Sequence, residues 1–417
     1  MKILKRSFIL FLILSLHVAA DAQRRARDLK PTIILISLDG FRYDYAEKFR
    51  TPTLNRLARE GVRAKWMIPA FPTKTFPNHY TIATGLYPAN HGIVENSVYD
   101  FGEVFSMADR KKVEDPRWWW GEPIWATAEK QGQIAGSYFF VGTEAKIAGE
   151  YPTYWRNYND RVPPEFRVDQ VLGWLALPYD KRPTMITMYF SDTDDAGHEF
   201  GPDAEETRYA ALNADRYVKQ LVDGLSARGI YDRVNIIIVS DHGMAARRQQ
   251  DVVIMDEYFD TTDKKLADPI LTTGEIWQIF AKPGKEDLIM DKLKSIKNAT
   301  CWRKADIPAR FHYNEGRRIA PIVCSSDEGW SMTSRKRFEE TKKSPDFDQV
   351  RGAHGYDNRF QSMQATFIAR GPAFKRGYVA EPFENIHVYE LMAKILGLKP
   401  AKNDGDLRRV QGMLRKG

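Results

Sequence analysis

Several short stretches of this sequence set acidic, imidazole and hydroxyl side chains where metal-assisted chemistry can use them. In Ile36-Ser37-Leu38-Asp39-Gly40 an apolar run ends in a carboxylate. In Asp192-Thr193-Asp194-Asp195-Ala196-Gly197-His198, Asp194 and His198 stand four apart and can face one cation from a single turn of chain, with Asp195 as the rival at three. Val239-Ser240-Asp241-His242-Gly243 joins a carboxylate to an imidazole directly after another apolar run. His354 lies in a glycine-flanked loop, Gly352-Ala353-His354-Gly355. Singly, an Asp after a strand serves a turn or cap as readily as a metal, and Asp-x-x-x-His is commonly a surface pair. Together they form an oxygen and imidazole donor set. Both cysteines lie away from any metal-like spacing, so Zn²⁺ held by Asp and His is the expected ion.

A hydroxyl nucleophile is available at Thr75, in Phe71-Pro72-Thr73-Lys74-Thr75-Phe76-Pro77. The proline signals a helix start, which places Thr75 at a helix N-terminus. Free N–H groups and the positive end of the dipole face a phosphate oxygen there, and a cation can make the hydroxyl an alkoxide. The simpler role for a Thr before such a turn is an N-cap.

The elements that must position these groups are legible as alternation. Apolar runs at 31–38 (PTIILISL), 184–191 (TMITMYFS), 234–240 (VNIIIVS) and 364–369 (QATFIA) are expected to be buried parallel strands, and amphipathic stretches at 52–60 and 202–227 to be helices. This is a βαβ pattern, so the fold class is α/β with a mostly parallel central sheet flanked by helices. Ligands of such sheets gather at the carboxyl edge, where Asp39 and Asp241 fall. Residues 251–343 lack clean alternation, contain a helix-like stretch at 286–295, and are expected to form a smaller inserted lobe.

Composition bounds the rest. With 417 residues, 43% apolar and 12% aromatic, the chain can bury a large core and is neither a disordered nor a fibrous protein. No internal repeat is present, which excludes solenoids. Residues 1–22 carry Lys2, Lys5 and Arg6, an apolar stretch at 8–19 and Ala20-Asp21-Ala22, the form of a cleaved signal peptide. The mature chain, 23–417, is expected to be exported to a periplasm or beyond, without a membrane span. Cleavage lowers the formal charge from +7 to about +5, and the remaining charges alternate in sign, so no stable nucleic-acid stripe is formed. In an oxidising compartment Cys301 and Cys324 can pair, although spacing alone does not establish the geometry.

LDGFR at 38–42, FPTKTFPNHYTIATGLYPANHGIVEN at 71–96, DTDDAGHEFGP at 192–202, SDHGM at 240–244 and AHGYDN at 353–358 resemble, in order, the nucleotide pyrophosphatase/phosphodiesterase family of the alkaline phosphatase superfamily. The chain resembles that family's bacterial-type minimal catalytic unit. The resemblance implies an alkaline-phosphatase-like core and two Zn²⁺ ions, one on Asp194, His198 and His354, the other on Asp39, Asp241 and His242 with Thr75 beside it. It further implies attack by Thr75, a covalent nucleotidyl-threonine, and Asn96 as amide donor to a phosphate oxygen, helped by N–H groups near Thr75. His79 and His91 match no ligand position and are expected to be structural.

For the substrate, the resemblance implies a small-molecule nucleotide held between Phe76 and Tyr158, with Tyr189 as another pocket aromatic and Lys112 as a base contact. Asp192-Thr193 stands where many members have Glu-Pro, and Ser191 where some carry an acid, which alters the base pocket. The alternatives are a choline-phospholipid phosphodiesterase or a phosphomonoesterase on the same metals, and a silent binding protein that kept the fold. No Lys or Arg pair against a free phosphate is evident, an aromatic pocket can accept choline, and no ligand position is lost.

Overall fold

The computed structural model describes residues 29–416; the signal-peptide reading of 1–22 lies outside the described residues. Seven strands make the central sheet: β1 Thr32–Leu38, β2 Val62–Ala64, β3 Ala135–Tyr138, β4 Met185–Phe190, β5 Val234–Val239, β6 Phe367–Arg370 and β7 Tyr378–Ala380. Their spatial order is β7-β2-β6-β5-β1-β4-β3. β3, β4, β1 and β5 run parallel, and every residue of β1, β4 and β5 is buried, which is why these strands read as unbroken Ile/Val/Met runs.

Alternate residues of β1 face two cores. Ile33 and Leu35 pack with Ile82 and Ala83 of helix Thr75–Thr84 and with Leu391 of helix His387–Leu396. Ile34, Ile36 and Leu38 pack with Leu54 and Leu57 of helix Pro52–Glu60, Val171 of Pro164–Leu175, and Val218, Leu221 and Leu225 of Glu205–Ala227. Each such side chain contributes roughly 1.5–3 kcal/mol of burial.

Two expectations need correcting. The late strand, expected at 364–369 and parallel, begins at Phe367 and runs antiparallel to β5. The chain reaches it from the His354 loop at the carboxyl edge with no crossover helix, and only antiparallel entry is open to it. The helix expected over 202–227 begins at Glu205. Gly201, at φ +92, separates it from a shorter helix, Asp192–Phe200. Between β5 and β6, strands Ala267–Thr272, Ile276–Ala281, Ala299–Arg303 and Ile322–Ser326 form a four-stranded antiparallel sheet with its own core of Ile279, Ile289, Leu293 and Ile322. Cys301 and Cys324 oppose one another on adjacent strands there and are joined as a disulfide.

Candidate active site

Register brings the site together. Ser37 pairs with both Tyr189 and Val239, so β1, β4 and β5 end level with one another. Asp39 follows β1, helix Asp192–Phe200 follows β4, and Asp241-His242 follows β5. Gly40 permits the first of these turns: its φ is +61, and a Cβ there would lie 3.0 Å from the Asp194 Cα. His354 enters from the loop before β6, tied down by its Nδ1 at 2.8 Å from the Thr73 carbonyl.

Two donor clusters result. Asp39, Asp241 and His242 offer ligand atoms within 4.8 Å of one another and are buried; Asp194, His198 and His354 do the same nearer the surface. The clusters adjoin through the stacked His242 and His354 rings, 3.5 Å between centroids. Each imidazole is oriented the same way. Nδ1 of His198 lies 3.0 Å from the Gly352 carbonyl, that of His242 2.8 Å from the Gly243 carbonyl, and that of His354 on Thr73. A carbonyl only accepts, so each Nδ1 carries the proton and each Nε2 presents a lone pair, the arrangement of metal-ligating histidine.

The residues fit metal ions on three further counts. Nε2 of His198 and His354 approach to 3.1 Å, two lone pairs facing with no proton between them. Asp39 Oδ1, Asp194 Oδ1 and Asp241 Oδ2 are buried without a hydrogen-bond donor, a cost that a cation removes. Burial, then the Asp241 and Asp194 charges, pushes the Asp39 carboxyl well above its usual range, and burial opposes protonation of His354. Burial also acts against ionised Asp241, but without a cation in the cluster the His242 and His79 imidazoles in their protonated form outweigh it and hold that carboxyl low. Six Asp and His donors suit zinc and several other divalent ions.

Thr75 is the first residue of the buried helix Thr75–Thr84, and the capping position is Lys74. Its Oγ1 lies 3.4 Å from His242 Nε2, beside the buried cluster. The Asn78 carboxamide holds the preceding turn, donating to the Pro72 and Lys74 carbonyls and accepting from the Ala70 N–H. Asn96 Oδ1 accepts the Phe76 N–H at 2.9 Å. That contact occupies the Phe76 N–H and fixes the Asn96 side chain with its NH₂ on the other side.

Next to Thr75 a small cavity is lined by Phe76, Arg110, Phe139, Glu144, Tyr158 and Tyr189. Tyr189 also donates to Asp39 Oδ2 at 2.5 Å. Lys112 is not brought into this cavity: its ammonium lies on the Val104 carbonyl at 2.6 Å and near Glu103 at 3.2 Å. Arg110, two residues earlier in the same segment, lines the cavity instead, paired with Glu144 and over the Tyr158 ring. Besides Arg110, the sequence reading missed Lys74 and Glu275 and gave His79 a structural role only. His79, taken there as structural, lies 3.2 Å from Asp241 Oδ2 and 2.8 Å from Ser37 Oγ, so it also supports a cluster carboxylate. Lys74 and Glu275 form a buried ion pair at 2.7 Å next to the turn that presents Thr75. His91 is structural, bound to Thr81 Oγ1 and the Ile93 N–H.

A mostly parallel α/β sheet with two carboxylate–imidazole clusters at its carboxyl edge and a helix-initial hydroxyl beside them is the alkaline-phosphatase-like class. Solved structures agree: murine ectonucleotide pyrophosphatase/phosphodiesterase 5 superposes with a TM-score of 0.84 at 32% identity, over 92% of this chain and 100% of that one. An inactive threonine-to-alanine form of that protein, in complex with AMP, matches with the same score. Residues 33–357 match the family model for type I phosphodiesterase / nucleotide pyrophosphatase, and the chain belongs to that family. A venom phosphodiesterase of Crotalus durissus collilineatus is 41% identical over 89% of this chain and 45% of its own length. Ectonucleotide pyrophosphatase/phosphodiesterase family member 3 of Rattus norvegicus is 38% identical over 93% of this chain and 44% of its own. The chain thus spans less than half the length of these curated relatives.

Proposed function

We propose that the chain hydrolyses phosphodiester and pyrophosphate bonds of nucleotides, releasing a nucleoside monophosphate by double displacement at Thr75. The observation that carries this is the Thr75 hydroxyl at a buried helix start, 3.4 Å from His242 Nε2 and beside both donor clusters. Two divalent cations, zinc by the donor chemistry, would be held by Asp39, Asp241 and His242 and by Asp194, His198 and His354, lowering the hydroxyl's pKa and offsetting charge on phosphoryl oxygen.

Thr75 Oγ1, deprotonated, attacks phosphorus opposite the leaving oxygen. The bond to the leaving group breaks, that group takes up a proton, and the nucleotide remains esterified to Thr75. Water then attacks the same phosphorus, the P–Oγ1 bond breaks, and Thr75 recovers its proton. Asn96, oriented through the Phe76 N–H, offers its NH₂ to the phosphoryl oxygen. Phe76 and Tyr158 take the base by stacking, which any base satisfies.

Among the alternatives, a choline headgroup needs a free anionic or aromatic face. Glu144 is already engaged by Arg110 and by the Tyr158 N–H, and Arg110 itself repels a quaternary ammonium. The disulfide supports passage through an oxidising compartment, in line with export. Among the described residues no helix is long and apolar enough to cross a membrane.

The test compares hydrolysis of the nitrophenyl ester of thymidine monophosphate by wild type and Thr75→Ala, each with measured metal content, alongside nitrophenyl phosphate and nitrophenyl phosphocholine. The expected result is fast cleavage of the nucleotide ester and at least about a thousandfold loss in the metal-loaded variant. Preference for phosphocholine or the monoester overturns the substrate reading, and full activity of the variant removes Thr75 from the reaction.

A further inference from the structure

A cleft of about 530 Å³ opens between strand Ala245–Arg248, which follows His242, and the four-stranded lobe. Arg247, from strand Ala245–Arg248, and Arg337, from helix Arg335–Thr341, line it together with the hydroxyl-bearing Thr273, Ser331 and Ser334. Glu275 is the one carboxylate lining it among the described residues, and that carboxylate is neutralised by Lys74 at 2.7 Å. The cleft therefore carries an excess of positive charge.

Arg247 is the unusual member. In the antiparallel pairing of its strand with Val350–Ala353 it directly opposes Arg351, so two guanidinium groups face across adjacent strands, an arrangement that is unfavourable without a counter-charge. Arg351 has an answer in Asp346 at 3.3 Å and the Glu199 carbonyl. Arg247 donates to the Ser331 hydroxyl at 3.0 Å, while its Nε is buried with no acceptor. Neither Arg247 nor Arg337 has a carboxylate within ion-pair distance among the described residues.

We propose that this cleft is an anion site for a phosphate group, gripped by Arg247 and Arg337 and completed by the surrounding hydroxyls. Two guanidinium forks and the Ser331 and Ser334 hydroxyls, whose oxygens accept from the Arg247 guanidinium and the Arg337 N–H and so leave their own protons free, offer more donors than the two oxygens of a carboxylate use, while the Thr273 hydroxyl is taken by Glu95 at 2.9 Å. A phosphate presents three or four oxygens in a tetrahedral array. Inorganic phosphate, diphosphate and the phosphate end of a nucleotide share this chemistry. The site is separate from the two Asp/His clusters and needs no turnover to be detected.

Equilibrium dialysis of the metal-loaded protein against labelled phosphate, diphosphate and AMP tests it, with Arg247→Gln and Arg337→Gln in parallel. Wild type is expected to hold one more equivalent per chain than either variant, or to bind it at least tenfold more tightly. If the difference is confined to phosphate and diphosphate, the occupant is the inorganic ion; if AMP shares it, a nucleotide phosphate fits as well. Arg337 is exposed, so its variant carries the comparison alone should Arg247→Gln fold poorly. Crystals of the metal-loaded protein soaked in tungstate give the location: density between Arg247 and Arg337 supports the site. Identical anion binding by wild type and Arg337→Gln, or tungstate only at the Asp/His clusters, overturns it.

Discussion

Asn96 separates two roles that are often inseparable in a single side chain. Its Oδ1 holds the Phe76 N–H at 2.9 Å, a structural contact, while its NH₂ is the group proposed to meet the phosphoryl oxygen. Asn96→Asp keeps the acceptor and removes the donor, so the variant is expected to fold and retain metal while kcat falls about 10²–10³-fold, the usual effect of losing one such donor. A variant as active as wild type removes the amide from the reaction. His91 lies deeper: burial depresses its pKa from 6.5 to about 3, and its Nδ1 accepts the Ile93 N–H in the neutral form. The unfolded chain therefore binds the proton more readily than the folded one. Stability from this group is full above pH 6.5 and is lost progressively as pH falls towards 3. In urea titrations His91→Gln is expected to flatten that slope, and an unchanged slope would show that other groups set it. These residue-scale features were only partly legible. Asp39, Asp241 and His242 were visible because each follows an apolar run directly; His354, amid glycines, gained meaning only from the resemblance. Lys112 was expected at the pocket where Arg110, two residues earlier, lies, because no periodicity constrains a four-residue helix in a loop.

At the scale of elements, the helix that begins at Thr75 is held by parts distant in sequence. Lys74 and Glu275 are 201 residues apart, yet their ion pair is almost fully buried and ties the lobe strand Ile276–Ala281 to the turn that presents Thr75. No local pattern announces such a pair. The same holds for β6: its composition reads as a buried strand, but its direction depends on where the chain enters the sheet. Lys74→Met leaves Glu275 buried and unpaired, and the expected cost is about 3–5 kcal/mol in chemical denaturation. Removing the partner as well, in Lys74→Met with Glu275→Leu, is expected to recover much of that loss, because the penalty belongs to the orphaned charge. A single variant with wild-type stability would mean that water reaches Glu275 and the latch between lobe and core is loose.

For the whole molecule, the carboxyl edge of the sheet is where β1, β4, β5 and the loop before β6 meet, and what meets there is mostly charge. Asp39, Asp194 and Asp241 each direct a buried oxygen with no donor into the two clusters, and the His198 and His354 lone pairs face one another at 3.1 Å. Cations are thus expected to act as structural cross-links between these four segments as well as cofactors. A site present in the folded chain alone adds RT ln(1 + [L]/Kd), about 2.7 kcal/mol at a hundred times Kd. Chelation is therefore expected to lower Tm by several degrees and to speed amide exchange in residues 352–358 and 239–244, with both effects reversed by added Zn²⁺. Asp241→Asn, which weakens one cluster, is expected to give a smaller Tm loss on chelation than wild type. If chelator leaves Tm and exchange untouched while activity disappears, the ions act only on substrate, and the edge must be held by its hydrogen bonds to Thr73, Gly243 and Gly352.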